Sequence, residues 1–209
     1  MKTLSIDQVI TSVRKKYEEI DVNESGMIAT SDDANFNTVV ESCIADAYRF
    51  VMLSANTSLL EGKQLTGVNL TVDDNMVGRV ALPSDFLRGV TVRLSSWQSS
   101  PSDIITEDTP QYRMQSDKYA CGTYQEPVAA LVHTATGRTM ELYKAKTKDD
   151  TIKSFVYVPS WDEGSSNVQI PDQLANAFIY YVAALTATTF REDVANDFFK
   201  VARSLLGLE

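Results

Sequence analysis

The sequence predicts an α+β fold, in which an α-helical body carries an inserted antiparallel β domain. Near both chain ends, apolar residues recur at spacings of three and four, the period of an amphipathic helix. Between about residues 65 and 159 the period changes to alternation, which is typical of antiparallel strands. Helices, then strands, then helices make an α+β order. We expect an N-terminal helical part at 1–64, a β insertion at 65–159, and C-terminal helices at 160–209 that complete the body.

Length and composition are those of an ordinary globular protein. The chain has 209 residues, of which 44% are hydrophobic and 22% are charged, enough for one sizeable core. Its formal net charge of −9 makes it a poor candidate for gripping nucleic-acid phosphates, although it could surround DNA without holding it. Cys43 and Cys121 lie far apart, which indicates a reducing compartment rather than a metal site. No apolar segment follows Met1, so we expect no secretory signal.

The first sixty residues predict two antiparallel helices. Ser5 and Gln8 match a capping box, and apolar residues then follow one face of a helix over 6–20. The opposite face is charged and includes Glu18. A second helix is expected from Asp33 to Leu60, because large apolar residues again recur at helical spacing.

The middle of the chain predicts a set of antiparallel strands and one short helix. Valine, leucine and isoleucine alternate there with polar residues, and turn residues separate the runs. The short helix is expected within 107–119, and Pro159 should end the last strand. The expected strands lie at 68–72, 77–82, 90–94, 128–132, 140–142 and 152–158.

The stretch from Ile170 to Leu206 predicts one long kinked helix or two helices in tandem. Pro171 suits a first helical position, where its missing N–H is not needed. No charged residue lies between Asp172 and Arg191, so this part should be buried on several sides, with Phe178 inside. Tyrosines and threonines interrupt the run and charges follow it, so we expect no membrane span.

The terminal segment, from about Asp193, carries two sets of large apolar residues. Phe199 and Leu206 are seven residues apart and are expected to face outward, which suggests a contact with a partner. Together with Arg203 and Leu208 they are the predicted partner-binding residues. The alternative is that a neighbouring helix of the same subunit covers Phe199. The residues expected to pack on the body are Phe198, Val201, Ala202 and Leu205.

One polar loop between the first two helices matches most of the EF-hand calcium pattern. Asp21, Asn23 and Ser25 occupy alternate positions, and Gly26 follows for the sharp turn. The twelfth position is Asp32, whose short side chain reaches less well for bidentate binding than glutamate does, and the sequence has no second hand. Two interpretations stay open: a polar interhelical loop, or a loop that binds Ca²⁺.

The sequence contains no recognisable catalytic motif, so we do not expect an enzyme. It lacks a phosphate-binding loop, a zinc-protease motif and a nucleophile elbow. His133, the single histidine, has no placed partner and is expected to be structural or exposed. The adjacent carboxylates at 73–74 and 149–150 fit solvated turns. A small hydrolase or transferase that uses carboxylates is the lowest-ranked alternative.

The run from Leu82 to Leu87 carries a resemblance to a known family. A strand ends at Pro83, Ser84 and Asp85 turn the chain, and Phe86 and Leu87 anchor the turn in the core. In its context this run resembles the head-to-tail adaptor proteins of tailed bacteriophages, also called connector, ring or head-completion proteins. The similarity lies in the layout of nearly the whole chain: two N-terminal helices, a β insertion that opens with this turn, and a long alanine- and tyrosine-rich helix near the end.

The resemblance implies a structural virion protein without catalytic residues or cofactor. Such proteins form a ring, commonly of twelve subunits, beneath the portal; the ring extends the DNA channel and receives tail components. The implied partners are the portal protein, other tail or ring proteins and further copies of the chain, with DNA passing through unbound and no membrane involved. The implied location is the head–tail interface of a virion made in the bacterial host cytoplasm. The alternative function is a cation-regulated binding module that uses the Asp21–Asp32 loop.

Overall fold

The computed structural model of the chain describes residues 1–21, 33–117, 119–135 and 137–208. This described part contains five α-helices and ten β-strands in antiparallel and mixed sheets, so the expected α+β fold class is confirmed. In chain order the elements are β1 (Lys2–Ser5), α1 (Ile6–Asp21), α2 (Asp33–Ser54), β2 (Lys63–Gln64), β3 (Thr71–Val72), β4 (Val77–Ala81), β5 (Phe86–Leu94), β6 (Ile104–Thr106), α3 (Pro110–Met114), β7 (Val128–Thr134), β8 (Gly137–Tyr143), β9 (Ile152–Pro159), β10 (Asn167–Ile170), α4 (Ala175–Phe190) and α5 (Glu192–Leu205).

The chain divides into two compact units. The helical unit combines both ends of the chain, Met1–Glu61 and Ser160–Glu209, and the β unit is the continuous segment Gly62–Pro159. The β unit begins earlier than the expected residue 65, because β2 pairs with β9 and so belongs to a sheet.

The N-terminal strand and helix of the helical unit meet at the predicted capping box. The Ser5 N–H donates to Gln8 Oε1 at 3.0 Å, and the Gln8 N–H donates to Ser5 Oγ at 3.2 Å. Before this box, β1 pairs antiparallel with β10, and Leu4 lies opposite Val168. Strand β10 is not predicted by the sequence pattern, because a four-residue strand is too short for its alternation to stand out.

Helix α4 is the centre of the helical unit, as its uncharged sequence predicts. Helices α1, α2 and α5 all contact it. The Tyr17 hydroxyl of α1 donates to the carbonyl of Ala183 at 3.1 Å. The Tyr17 ring contacts Phe36 of α2 and Phe198 of α5, with centroids 5.6 and 5.5 Å apart. The nine buried residues of α4 include five alanines, whose small side chains let the neighbouring helices approach closely.

The closing stretch forms two helices in tandem, which was one of the two expected arrangements. Helix α4 ends at Phe190, and Arg191 leaves helical geometry with φ −147° and ψ 68°. Its guanidinium donates to both carboxylate oxygens of Asp193 at 3.1 Å, in the first turn of α5. Pro171 is not a first α-helical residue, because it precedes a 3₁₀ turn at Asp172–Leu174.

One further helix expectation needs correction. Helix α2 ends at Ser54 rather than at Leu60, because Asn56 caps a separate 3₁₀ turn at Thr57–Leu59. The Asn56 side chain accepts from the Ser58 N–H at 3.0 Å, which competes with continuation of the α-helix.

In the described part of the chain, no helix combines the length and apolar character needed to cross a membrane.

The β unit contains a three-stranded and a five-stranded sheet around one core. Their strand orders are β2-β9-β5 and β3-β4-β8-β7-β6. The expectation of a purely antiparallel insertion is wrong at one edge, because β6 pairs parallel with β7. This strand has three residues and was not predicted, since periodicity cannot identify so short a run. Both sheets contribute to the core, which includes Val80, Leu94, Trp97, Met140 and Phe155.

We expect Phe178→Asp to destabilise the helical unit by about 4 kcal/mol. Phe178 is fully buried in α4, so the substitution removes a large apolar group and buries an unpaired charge. Chemical denaturation followed by circular dichroism measures the change. The control Glu18→Ala lies on an exposed part of α1 and should change the unfolding free energy by less than about 0.5 kcal/mol. An unchanged midpoint for Phe178→Asp would contradict the central position of α4.

In the β unit we expect Val80→Asp to cost about 3 kcal/mol, and Leu82→Asp distinctly less. The strand expected at 77–82 included Leu82, but Leu82 is only half-buried and lies beyond the end of β4, whereas Val80 is fully buried. Fluorescence of the buried Trp97, in a Trp161→Phe background, reports unfolding of this unit. Equal losses from both substitutions would contradict the assigned strand end.

Candidate protein-interaction site

The structure revises which face of α5 is buried. Ala195, Phe198, Ala202 and Leu206 are buried, while Val201 and Leu205 are 39% and 47% exposed. The expectation that Leu206 faces outward is therefore wrong, as is the expectation that Val201 and Leu205 pack on the body. Leu206 is one helical turn after Ala202, on the side that meets the rest of the helical unit.

Phe199 belongs to a row of three partly buried aromatic side chains from three helices. Its ring meets Tyr181 of α4 edge-on, with centroids 5.3 Å apart and an interplanar angle of 70°. Tyr181 stacks on Phe50 of α2 at 4.1 Å and 11°. A helix of the same subunit therefore does contact Phe199, as the alternative expectation held, but all three rings keep part of their surface in solvent. We call Phe50, Tyr181, Phe199 and Arg203 the aromatic face.

Charged groups border the aromatic face. Burial raises the pKa of Tyr181, the charge of Asp46 raises it further, and the charge of Arg203 acts in the opposite direction. Arg203 is exposed on α5, one turn after Phe199. On α2, Leu53 lies one turn after Phe50 and is 44% exposed. The aromatic face therefore combines three aromatic rings with an arginine, and Leu53 extends the exposed apolar surface of α2 next to Phe50.

A Schellman motif fixes the end of α5 and the position of Leu208. Gly207 adopts a φ of 72°, which glycine tolerates without a Cβ clash. Its N–H donates to the carbonyl of Ser204 at 3.0 Å, and the Leu208 N–H donates to that of Arg203 at 2.9 Å. Leu208 is half-buried. Of the four predicted partner-binding residues, Phe199 and Arg203 lie on the aromatic face and Leu206 lies inside.

The composition of the aromatic face suits contact with another protein. Aromatic residues and arginine are enriched in protein interfaces, because they present large surfaces and lose little conformational entropy on binding. The ring contacts hold Tyr181 and Phe199 before any partner arrives, which lowers the cost of association. In the sequence, the spacing of Phe199 and Leu206 indicated this region, although Leu206 is buried. Phe50 and Tyr181 gave no signal, because their contact joins residues that are far apart in the chain.

The predicted calcium loop cannot be placed on this structure. Asn23, Ser25 and Asp32 lie outside the described residues, and Asp21 is the last residue of α1. Calcium binding therefore stays a prediction. Among the residues that the structure does describe, no group of three or more histidine, cysteine or acidic side chains is arranged to hold a metal ion.

A buried polar cluster in the described part of the β unit was not predicted from the sequence. The Glu141 carboxylate is 9% exposed and accepts from Arg79 Nε at 2.9 Å, from the Tyr143 hydroxyl at 2.7 Å and from the Tyr112 hydroxyl at 3.2 Å. Arg79 also donates to Asp73 at 2.9 Å. In the sequence, the available signal for this cluster was Glu141, a charged residue within the apolar run of β8. In the antiparallel pairing of β4 and β8, Glu141 lies opposite Arg79.

The cluster is arranged for structure rather than for proton transfer. Burial and then the hydrogen bond to Glu141 raise the pKa of Tyr143, and burial and the charge of Glu141 raise that of Tyr112, so both hydroxyls stay protonated. Burial opposes ionisation of Asp73, but hydrogen bonds from the Val77 N–H and from Arg79 outweigh it and lower its pKa. These bonds join α3 to β4 and β8.

His133 is separate and exposed, with Nδ1 3.2 Å from Glu107 Oε1.

We expect Glu141→Ala to destabilise the β unit by about 2 kcal/mol, because it leaves two tyrosine hydroxyls and Arg79 Nε without their acceptor. Arg79 is partly exposed, so water compensates some of the loss. Glu141→Gln keeps an acceptor oxygen and should cost clearly less. Denaturation monitored at Trp97 compares the two variants, and an alanine variant as stable as the wild type would refute this role.

Comparison with known proteins assigns no family to the chain. No protein-family profile matches it. No curated protein matches it with significant similarity. The function must therefore be inferred from the two units, from the aromatic face and from the resemblance carried by the Leu82–Leu87 run in its context.

Proposed function

We propose that the chain is a structural head-to-tail adaptor of a tailed bacteriophage. It forms a ring, commonly of twelve copies in proteins of this kind, that links the portal to tail components and extends the DNA channel. The protein acts through surfaces rather than through bond chemistry. Its place is the head–tail interface of the virion, after synthesis in the host cytoplasm.

The observation that carries this proposal is how the chain is divided. Both chain ends build the helical unit, and the continuous segment Gly62–Pro159 builds the β unit. This is the layout of the adaptor proteins that the sequence resembles. The Leu82–Leu87 run, which carries the resemblance, begins after β4 and leads into β5, and the Phe86 ring is buried in the β core.

The aromatic face gives the proposal a contact surface. Phe199 and Arg203 belong to α5, close to the C-terminal end of the chain. A contact between this face and the portal, or an adjacent copy, would bury Phe50, Tyr181 and Phe199 beside an arginine. Contacts between unlike surfaces of identical copies generate a closed ring when the rotation from one copy to the next closes, so one chain can both dock and assemble.

The isolated chain should be mostly monomeric and should assemble on its partner. The exposed large apolar side chains in the described residues are spread over both units, so the exposed apolar surface is divided. Ring closure then requires the partner to align the copies. Sedimentation at micromolar concentration should show a monomer, and a stable closed ring without any partner would contradict this expectation.

The docking role of the aromatic face is tested by Arg203→Glu, because deletion of residues 203–209 would also remove the buried Leu206. Arg203 is exposed, so the variant should fold normally and fail to join portal-bearing capsids. The control Lys15→Glu makes the same charge change at an exposed site on α1. Co-sedimentation with capsids compares the two. If the Arg203→Glu protein joins the capsids as the wild type does, Arg203 does not belong to the contact.

A further inference from the structure

We draw no further inference here: the strongest candidate, the exposed apolar patch of Met114, Tyr119 and Tyr124 in the connection between β6 and β7, carries nothing because nothing in the structure shows what covers it.

Discussion

The burial of α4 against α1, α2 and α5 is the interaction on which the helical unit depends. Residues from both ends of the chain meet there, and the hydrogen bond from Tyr17 to Ala183 joins positions far apart in sequence. The five buried alanines of α4 let the surrounding helices pack closely. The core therefore cannot accommodate a bulky or charged side chain in place of any of them. Because the ends are held by this packing, the chain between them is free to fold as a separate unit.

The same packing also positions the proposed contact surface. Tyr181 is on α4 itself, and Phe50 and Phe199 contact its ring from the helices on either side. The aromatic face therefore consists of side chains at the border of the core, held in place by the packing of α2 and α5 on α4. A surface prepared in this way needs little rearrangement on binding, which suits a protein whose proposed role is to join larger assemblies.

Sequence periodicity was sufficient for α1, α4 and the main strands, because these elements are long or strongly patterned. It failed for β6 and β10, whose few residues acquire meaning only through their pairing partners. On α5 it identified the helix and the burial of Phe198 and Ala202. It misassigned Val201, Leu205 and Leu206, since apolar residues occupy adjacent faces and only the packing decides between them. The Glu141 cluster and the Phe50–Tyr181 stack escaped prediction for a similar reason: both depend on long-range contacts.

The central claim is that this chain is a ring component at the head–tail joint. A cryo-electron reconstruction of the virion that contains it tests the claim most directly. The account predicts a ring of copies between portal and tail, with density that fits the helical unit and the β unit. Density at the joint that is fully explained by other proteins, with this chain absent, would contradict it.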